Sequence, residues 1–222
     1  AYHDHNGAQA RPKILGFIKQ GKAVAYGSEA GTPLIADPGF DLSRAAAEAG
    51  YLVTSAPGPS AIIAALTLAG LPTDRFFFAG FLPNVQSQRK TALQAYRDVP
   101  GTLVFYESAK RIRAMIGDAA STLGGERPAV ICRELTKKFE ECRRGNLFEL
   151  FNELEGVTLK GEIVVLIDRA RLPVVKAEDI EQSLTKALAT HSVRDASELV
   201  ANALGVPRRQ VYQVALTLGR EP

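Results

Sequence analysis

The first third of the chain alternates between short apolar runs and segments with helical spacing. Apolar residues at i, i+3, i+4 and i+7 and longer apolar runs predict three helices, over residues 10–19, 41–49 and 60–69. Short apolar runs at residues 22–27 and 51–56 predict strands, each followed by a glycine-rich turn. Strand, turn and helix in repetition are typical of an α/β fold with a parallel sheet, so we predict such a domain over residues 1–72.

From residue 73 the pattern changes to longer strands and amphipathic helices, after turn and charge signals at residues 71–75. Strands are predicted over residues 76–81, 102–107, 128–133, 138–143 and 161–167. Helices are predicted over residues 86–96, 109–123 and 147–154. This order indicates a second α/β domain with a mixed sheet, over residues 73–171.

The remaining segment, residues 177–222, is predicted to be a small helical tail. Ser192 and Asp195 have the spacing of a capping box at a helix start, and Gly205 ends that helix. A second apolar face follows the turn, with Arg208 and Arg209 at its beginning. Helix, short turn and helix outline a helix-turn-helix with two exposed arginines suited to nucleic acid, although plain helical hairpins share this outline.

Composition narrows the class of protein. No run of 18 apolar residues is present and the first residues are polar, so we expect no membrane span, signal peptide or transit peptide. Cys132 and Cys142 are too few for a disulfide framework and predict reduced thiols in a cytoplasmic protein. His3 and His5 are the only clustered imidazoles, and hydrogen-bonding or packing roles are favoured over a metal site. A basic bias in the middle of the chain suits either solvated faces or an anionic polymer such as nucleic acid.

The glycine-rich loop at residues 27–39, GSEAGTPLIADPG, is the main candidate for ligand binding. It contains no lysine or arginine, and it matches neither a Walker A loop nor a dinucleotide G-x-G-x-x-G loop. Glu29 and Asp37 would repel a polyphosphate, but they could accept hydrogen bonds from ribose hydroxyls or face a cationic group. S-adenosylmethionine fits this description, although the spacing alone leaves other ligands open.

Eight sequence segments and Arg111 together resemble the tetrapyrrole-methylase superfamily, and within it the family of ribosomal RNA small subunit methyltransferase I. The segments are residues 2–6 (YHDHN), 28–39 (SEAGTPLIADPG), 57–61 (PGPSA), 69–76 (AGLPTDRF), 80–83 (GFLP), 105–108 (FYES), 133–140 (RELTKKFE) and 160–162 (KGE). The resemblance implies a homodimer that binds S-adenosylmethionine between two α/β domains and methylates a cytidine ribose 2′-hydroxyl of small-subunit rRNA. The family pattern begins earlier, with a strand and two further motifs, so we expect this chain to lack one wall of the cleft.

The resemblance also implies roles for individual residues. The cofactor would be bound by Ser28, Glu29, Gly31, Thr32, Ser60 and Ala61 of the first domain and by Tyr106, Arg133, Leu135, Gly161 and Glu162 of the second. Candidates for the general base are Asp37, Glu107, Glu134 and, if its pKa is depressed, Lys137. RNA phosphates would be contacted by Arg75, Arg111, Arg133, Arg208 and Arg209, and a flipped base could stack on Phe81 or Tyr106.

Simpler explanations exist for several of these residues. Gly31 and Gly39 could be turn glycines, Tyr106 a core aromatic, and Glu162 a cap at a strand edge. The arginines could serve in salt bridges. At the level of function, the alternatives are a tetrapyrrole C-methyltransferase, whose polycarboxylate substrate would also suit arginines, and a non-catalytic RNA-binding module.

Overall fold

The central element of the part of the chain that the computed structural model describes, residues 2–3, 6–170 and 177–218, is a five-stranded mixed sheet. The strands are β1 (Phe76–Phe81), β2 (Thr102–Ser108), β3 (Pro128–Arg133), β4 (Glu141–Asn146) and β5 (Glu162–Ile167). Their order is β1-β2-β5-β3-β4, in which β1 and β2 run parallel and all other neighbours run antiparallel. The predicted α/β class with a mixed sheet is confirmed.

Six helices accompany this sheet in the described part of residues 1–170: α1 (Gly7–Lys19), α2 (Phe40–Glu48), α3 (Ala61–Ala69), α4 (Gln86–Ala95), α5 (Ile112–Leu123) and α6 (Leu147–Glu153). Successive strand residues point to opposite faces of a sheet, and both faces are apolar here. One face, with Phe105 and Val165, packs in a buried cluster with α5 and α6. The other face, with Val104 and Val164, packs against α3. Helices therefore cover both faces of the sheet.

Two strand predictions, for residues 22–27 and 51–56, are wrong in this structure. Both segments lie outside helices, but neither pairs with a strand among the described residues. An apolar run becomes a β-strand only if a second extended segment lies about 4.8 Å away and pairs with its backbone N–H and C=O groups. Most residues of these segments are also exposed, with Leu52 at 93%.

The predicted strand at residues 138–143 begins three residues later, as β4. Glu141 pairs with Arg133 across an antiparallel hairpin, so the residues between them must form the connection. Residues 134–140, here named the β3–β4 loop, turn with Glu134 and Thr136 at positive φ. This loop carries several of the predicted site residues.

The C-terminal segment is a separate compact unit, because the chain divides into Ala1–Ala170 and Arg171–Pro222. Its described helices are α7 (Ala177–Leu188), α8 (Val193–Leu204) and α9 (Arg208–Leu218), which share an apolar core. The oxygen Oγ of Ser192 accepts a hydrogen bond from Asp195 N at 3.2 Å, which confirms Ser192 as the cap. The carboxylate of Asp195 accepts from Ser192 Oγ, so the reciprocal half of the predicted capping box is not formed in the described structure. The predicted helical tail is confirmed, whereas the domain boundaries of residues 1–72, 73–171 and 177–222 stay predictions.

Candidate active site

The two glycine-rich loops of the N-terminal segment lie against each other. Thr32, in the first loop (residues 27–39), donates a hydrogen bond from Oγ1 to the carbonyl oxygen of Pro59 at 2.9 Å. Pro59 belongs to the second loop (residues 57–60), and a Cβ on Gly31 would lie 3.5 Å from the same oxygen. The structure therefore brings together Gly31 and Thr32 with the loop that ends at Ser60.

Backbone strain is concentrated in two loops of the predicted site. The non-glycine residues with positive φ in the described chain are Leu34, Ala36, Glu134 and Thr136, at 72°, 54°, 50° and 63°. The first two lie in the first glycine-rich loop and the other two lie in the β3–β4 loop. Such backbone conformations cost about 1–3 kcal/mol each and cluster at ligand-binding sites. The pattern supports both loops as parts of a site.

Gly39 has a packing role in the same loop. Its φ is 127°, and a Cβ there would lie 2.7 Å from Cε1 of Tyr26 and 2.9 Å from Cδ1 of Leu34. The hydroxyl of Tyr26 donates to the carbonyl oxygen of Pro38 at 2.8 Å. The loop therefore closes around Tyr26, and only glycine fits the closure point.

The N-terminus of α3 offers backbone donors beside these loops. Ser60 occupies the N-cap position with extended backbone, but its side chain does not cap the helix. The N–H groups of the first turn, starting at Ala61, have no partner inside a helix. A helix start of this kind favours a carboxylate or another anion. Ser28, by contrast, uses its Oγ locally, donating to Ala30 O at 3.2 Å.

A second group of predicted residues forms a charged network between the β3–β4 loop and β5. Lys137 Nζ lies 2.9 Å from Glu134 Oε1 and 3.0 Å from Glu162 Oε2. The N–H of Glu162 donates to the same Glu134 oxygen at 2.9 Å, and Glu134 N donates to Glu162 O at 2.9 Å. The hydrogen bond from Glu162 N–H and the ammonium of Lys137 hold the pKa of Glu134 below its ordinary value.

Gly161 lies directly under this network. Its φ is 95°, and a Cβ there would lie 2.5 Å from Cγ of Glu134 and still closer to the carboxylate. Glycine is therefore needed for two reasons, the backbone conformation and the approach of Glu134. This contact and the hydrogen bond from Glu162 N–H bring Glu134 beside both Gly161 and Glu162, two of the predicted cofactor-binding residues.

Tyr106 lies on the sheet face that also carries Leu135 and α3. Its ring contacts Phe78 and Phe81, with centroids 4.9 and 5.6 Å away. Tyr106 and Leu135 both pack against the cluster formed by α3 and strands β2, β3 and β5. Burial, together with the negative charge of Glu162, raises the pKa of Tyr106. The helix that begins at Ala61 thus covers the face on which Tyr106 and Leu135 lie.

The environment of Lys137 does not meet the condition for a general base. That role needs a depressed pKa, whereas the carboxylates of Glu134 and Glu162 raise the pKa of Lys137 above its ordinary value. The lysine is therefore held protonated. Its position instead allows it to fix the two carboxylates of the network.

Glu107 lies on the opposite side of the sheet from Tyr106, because neighbouring strand residues alternate in direction. Its carboxylate is buried and lies 3.0 Å from Arg111 Nη2. Arg111 also donates to Leu82 O at 2.7 Å and contacts Asn84 Oδ1. Glu107 is a predicted general base and Arg111 a predicted RNA contact. In the structure, their side chains pair with each other and stabilise the junction between β2 and α5.

The other predicted residues are distributed as follows. Asp37 is half-buried in the first glycine-rich loop and forms no ion pair with any described residue, and Glu29 is exposed there. Arg133 donates to Glu141 Oε2 at 3.0 Å and to Lys160 O at 3.2 Å. Arg75 is exposed at the start of β1. Arg208 and Arg209 lie in the C-terminal unit.

Sequence reasoning missed two residues that shape the site. Phe78 packs its ring against Tyr106, a contact that the period-2 pattern of β1 could have indicated. Arg144 donates from β4 to Leu68 O in α3 at 2.5 Å, and no local pattern reveals that contact because 76 residues separate the two.

Within the described residues, no three His, Cys, Asp or Glu side chains lie together as metal ligands do. The prediction for His5 falls on a residue outside the described part of the chain. In the same part of the chain, no helix combines the length and apolarity of a membrane span.

Known proteins match both parts of the chain. Residues 16–150 match the family described as Tetrapyrrole (Corrin/Porphyrin) Methylases, and residues 174–219 match the RsmI C-terminal HTH domain. Among solved structures, the methyltransferase CobJ has a TM-score of 0.54 at 20% identity, covering 72% of this chain and 70% of CobJ. A second solved structure is a uroporphyrin-III C-methyl transferase from Thermus thermophilus, complexed with S-adenyl homocysteine. Its TM-score is 0.50 at 18% identity, and the match covers 75% of this chain and 75% of that one. The fold is that of a tetrapyrrole methylase.

Curated relatives narrow the class further. The ribosomal RNA small subunit methyltransferase I of Mesorhizobium japonicum is 43% identical over 98% of this chain and 74% of its own length. The proteins of the same name from Pseudomonas aeruginosa and Mycobacterium tuberculosis are 40% and 43% identical, over 97% and 94% of this chain and 78% and 73% of their own lengths. The chain belongs to the ribosomal RNA small subunit methyltransferase I family.

Proposed function

We propose that this protein transfers a methyl group from S-adenosylmethionine to the ribose 2′-hydroxyl of a cytidine in small-subunit ribosomal RNA. The observation that carries the proposal is the identity of about 40% with rRNA methyltransferases over nearly the whole chain. The two strained loops and the network around Glu134 are consistent with it.

The residues of the site fit S-adenosylmethionine chemically. The uncapped first turn at Ala61 offers N–H donors for a carboxylate, and Glu29 and Asp37 offer acceptors for ribose hydroxyls. The first glycine-rich loop contains no cation that would favour a polyphosphate. When bound, S-adenosylmethionine supplies an electrophilic methyl group.

The chain's own contribution to the chemistry is mainly positioning. Orientation of two reactants supplies most of the rate in such a transfer, and a weak hydroxyl nucleophile also needs an acceptor for its proton. Of the predicted bases, Lys137 is held protonated and Glu107 is buried against Arg111. Asp37, half-buried and without an ion pair to any described residue, is the remaining predicted base, and Glu134 serves the network.

We further propose that the protein acts as a cytoplasmic homodimer on RNA of the small ribosomal subunit. The relatives' names support the RNA substrate, and the free thiols of Cys132 and Cys142 suit a reducing compartment. Light scattering after gel filtration tests the dimer. A mass equal to one chain would contradict it.

Incubation with tritiated S-adenosylmethionine and unmodified 30S subunits tests the activity. We expect label in the RNA, recovered as 2′-O-methylcytidine after digestion. A parallel incubation offers uroporphyrinogen in place of the subunits, and label there but not in RNA would instead indicate the tetrapyrrole C-methyltransferase. RNA binding without any label, for a chain that binds S-adenosylhomocysteine in calorimetry, would indicate a non-catalytic RNA-binding protein.

A further inference from the structure

The C-terminal unit contains a cleft lined by three arginines and one tyrosine. Arg194 lies in the first turn of α8, Arg208 and Arg209 begin α9, and Tyr212 lies one helical turn further on. The cleft has a volume of approximately 450 Å³. The cleft is shallow and open to solvent, as a surface that contacts an extended polymer would be.

The charge of the cleft favours an anion. Arg194 and Arg209 are exposed and form no ion pair with any described residue, whereas Arg208 lies 3.4 Å from Glu198. Two acids of α8 lie close to these arginines in the sequence or in space: Glu198 pairs with Arg208, and Asp195 Oδ2 accepts a hydrogen bond from Ser192 Oγ at 2.7 Å.

The fourth lining residue has a different chemistry. Tyr212 is 41% exposed, whereas its neighbour Val211 is fully buried in the core of the unit. An exposed aromatic ring among guanidinium groups is the combination that binds unpaired nucleic acid, since bases stack on the ring and phosphates contact the cations. A simple anion would need no ring.

We propose that this cleft binds single-stranded RNA, with an unpaired base stacked on Tyr212 and the adjoining phosphates held by Arg194, Arg208 and Arg209. That the RNA is ribosomal rests on the proposed function, but the binding site itself does not. The cleft gives the C-terminal unit a contact with RNA of its own.

Fluorescence anisotropy of the full chain with a short fluorescein-labelled oligoribonucleotide tests the site. We expect Tyr212→Ala to weaken binding at least about fivefold, the lower end for loss of a stacking aromatic, and Tyr212→Phe to bind like the wild type. Arg194→Gln and Arg209→Gln should each weaken binding and reduce the slope of log affinity against log salt by about 0.7, one phosphate contact on a single strand.

Lys186→Gln is the matched control, because Lys186 is an exposed cation of α7 that does not line the cleft. It should bind RNA like the wild type. Thermal melts by circular dichroism show whether each variant is folded. The melting temperatures should equal that of the wild type, because the substituted side chains are exposed.

The proposal would be overturned if folded Tyr212→Ala and Arg209→Gln bound RNA as Lys186→Gln does. Equal weakening by Tyr212→Phe and Tyr212→Ala would also overturn it, since stacking would then not be the cause. Tighter binding of duplex than of single-stranded RNA would contradict the need for an unpaired base. The assay uses no methyl donor, so a failure of methyl transfer leaves its result unaffected.

Discussion

Among single residues, Gly161 is tightly constrained, because its backbone conformation and its contact with Glu134 both require the absence of a side chain. We predict that Gly161→Ala displaces Glu134 and weakens the binding of S-adenosylhomocysteine. The free energy of unfolding should also fall, by about 1–2 kcal/mol for the left-handed backbone and about 1–3 kcal/mol for overpacking. Calorimetric titration and urea unfolding measure the two effects.

Gly156→Ala is the control for this substitution. Gly156 also has a positive φ, of 68°, but a Cβ there would meet no atom within 4 Å. The free energy of unfolding of Gly156→Ala should fall only by the backbone contribution. This variant should bind S-adenosylhomocysteine with the affinity of the wild type. Equal affinity of both variants for S-adenosylhomocysteine would show that Glu134 does not contribute to the site.

Lys137 allows a test of its role by charge. Since Glu134 and Glu162 raise its pKa, the group stays protonated through the whole range in which the enzyme can be assayed. We predict that Lys137→Arg, which keeps the charge, retains much more methyl transfer to 30S subunits than Lys137→Gln. If Lys137 were the general base, both variants would lose it. Equal loss of methyl transfer in the two variants would therefore support Lys137 as the general base.

At this scale, resemblance suggests Glu162 and chemistry suggests Lys137, but neither indicates that the two side chains form an ion pair. Lys137 and Glu162 are 25 residues apart, so their ion pair exists only after β3 and β5 are aligned. The direction in which the pKa of Lys137 shifts depends on that alignment. The direction therefore could not be predicted from the sequence.

At the scale of elements, Glu107 and Arg111 join the end of β2 to the start of α5. We predict that Glu107→Gln lowers the free energy of unfolding by about 2 kcal/mol or more, because it removes the buried partner of a charged guanidinium. A full 3–5 kcal/mol is not expected, since the Arg111 side chain is 26% exposed to water. Affinity for S-adenosylhomocysteine should be unchanged.

Glu155→Gln provides the comparison. Its carboxylate is 77% exposed and lies 3.5 Å from Arg113, so its loss should cost less than about 1 kcal/mol. Urea unfolding of both variants checks the difference. Normal stability of Glu107→Gln with abolished methyl transfer would point to a catalytic role instead.

Elements were predictable from the sequence where burial determines them. The inner strands β2, β3 and β5 are apolar on both faces, and their predicted bounds differ from the observed ones by one residue at most. The runs at residues 22–27 and 51–56 have the same local signal but no pairing partner in the described structure. Pairing is a property of two segments, which one segment's pattern does not contain.

At the scale of the whole molecule, the cores of the two units are separate. The buried clusters around the sheet contain residues between 62 and 167, and the third cluster contains residues between 180 and 215. None of the three combines buried residues from both units among the residues described. Each unit therefore has the apolar core that independent folding requires.

All proposed cofactor contacts, from Ser28 to Glu162, lie in the unit Ala1–Ala170, whereas the arginine cleft lies in Arg171–Pro222. We predict that a chain ending at Ala170 folds and binds S-adenosylhomocysteine with the affinity of the full chain, but binds single-stranded RNA more weakly. Calorimetry and anisotropy measure the two affinities on the same preparation. Loss of S-adenosylhomocysteine binding by the folded shorter chain would show that the C-terminal unit contributes to the cofactor site. Unchanged RNA affinity would place the main RNA contacts in the first unit, because removing the cleft would then remove no binding free energy.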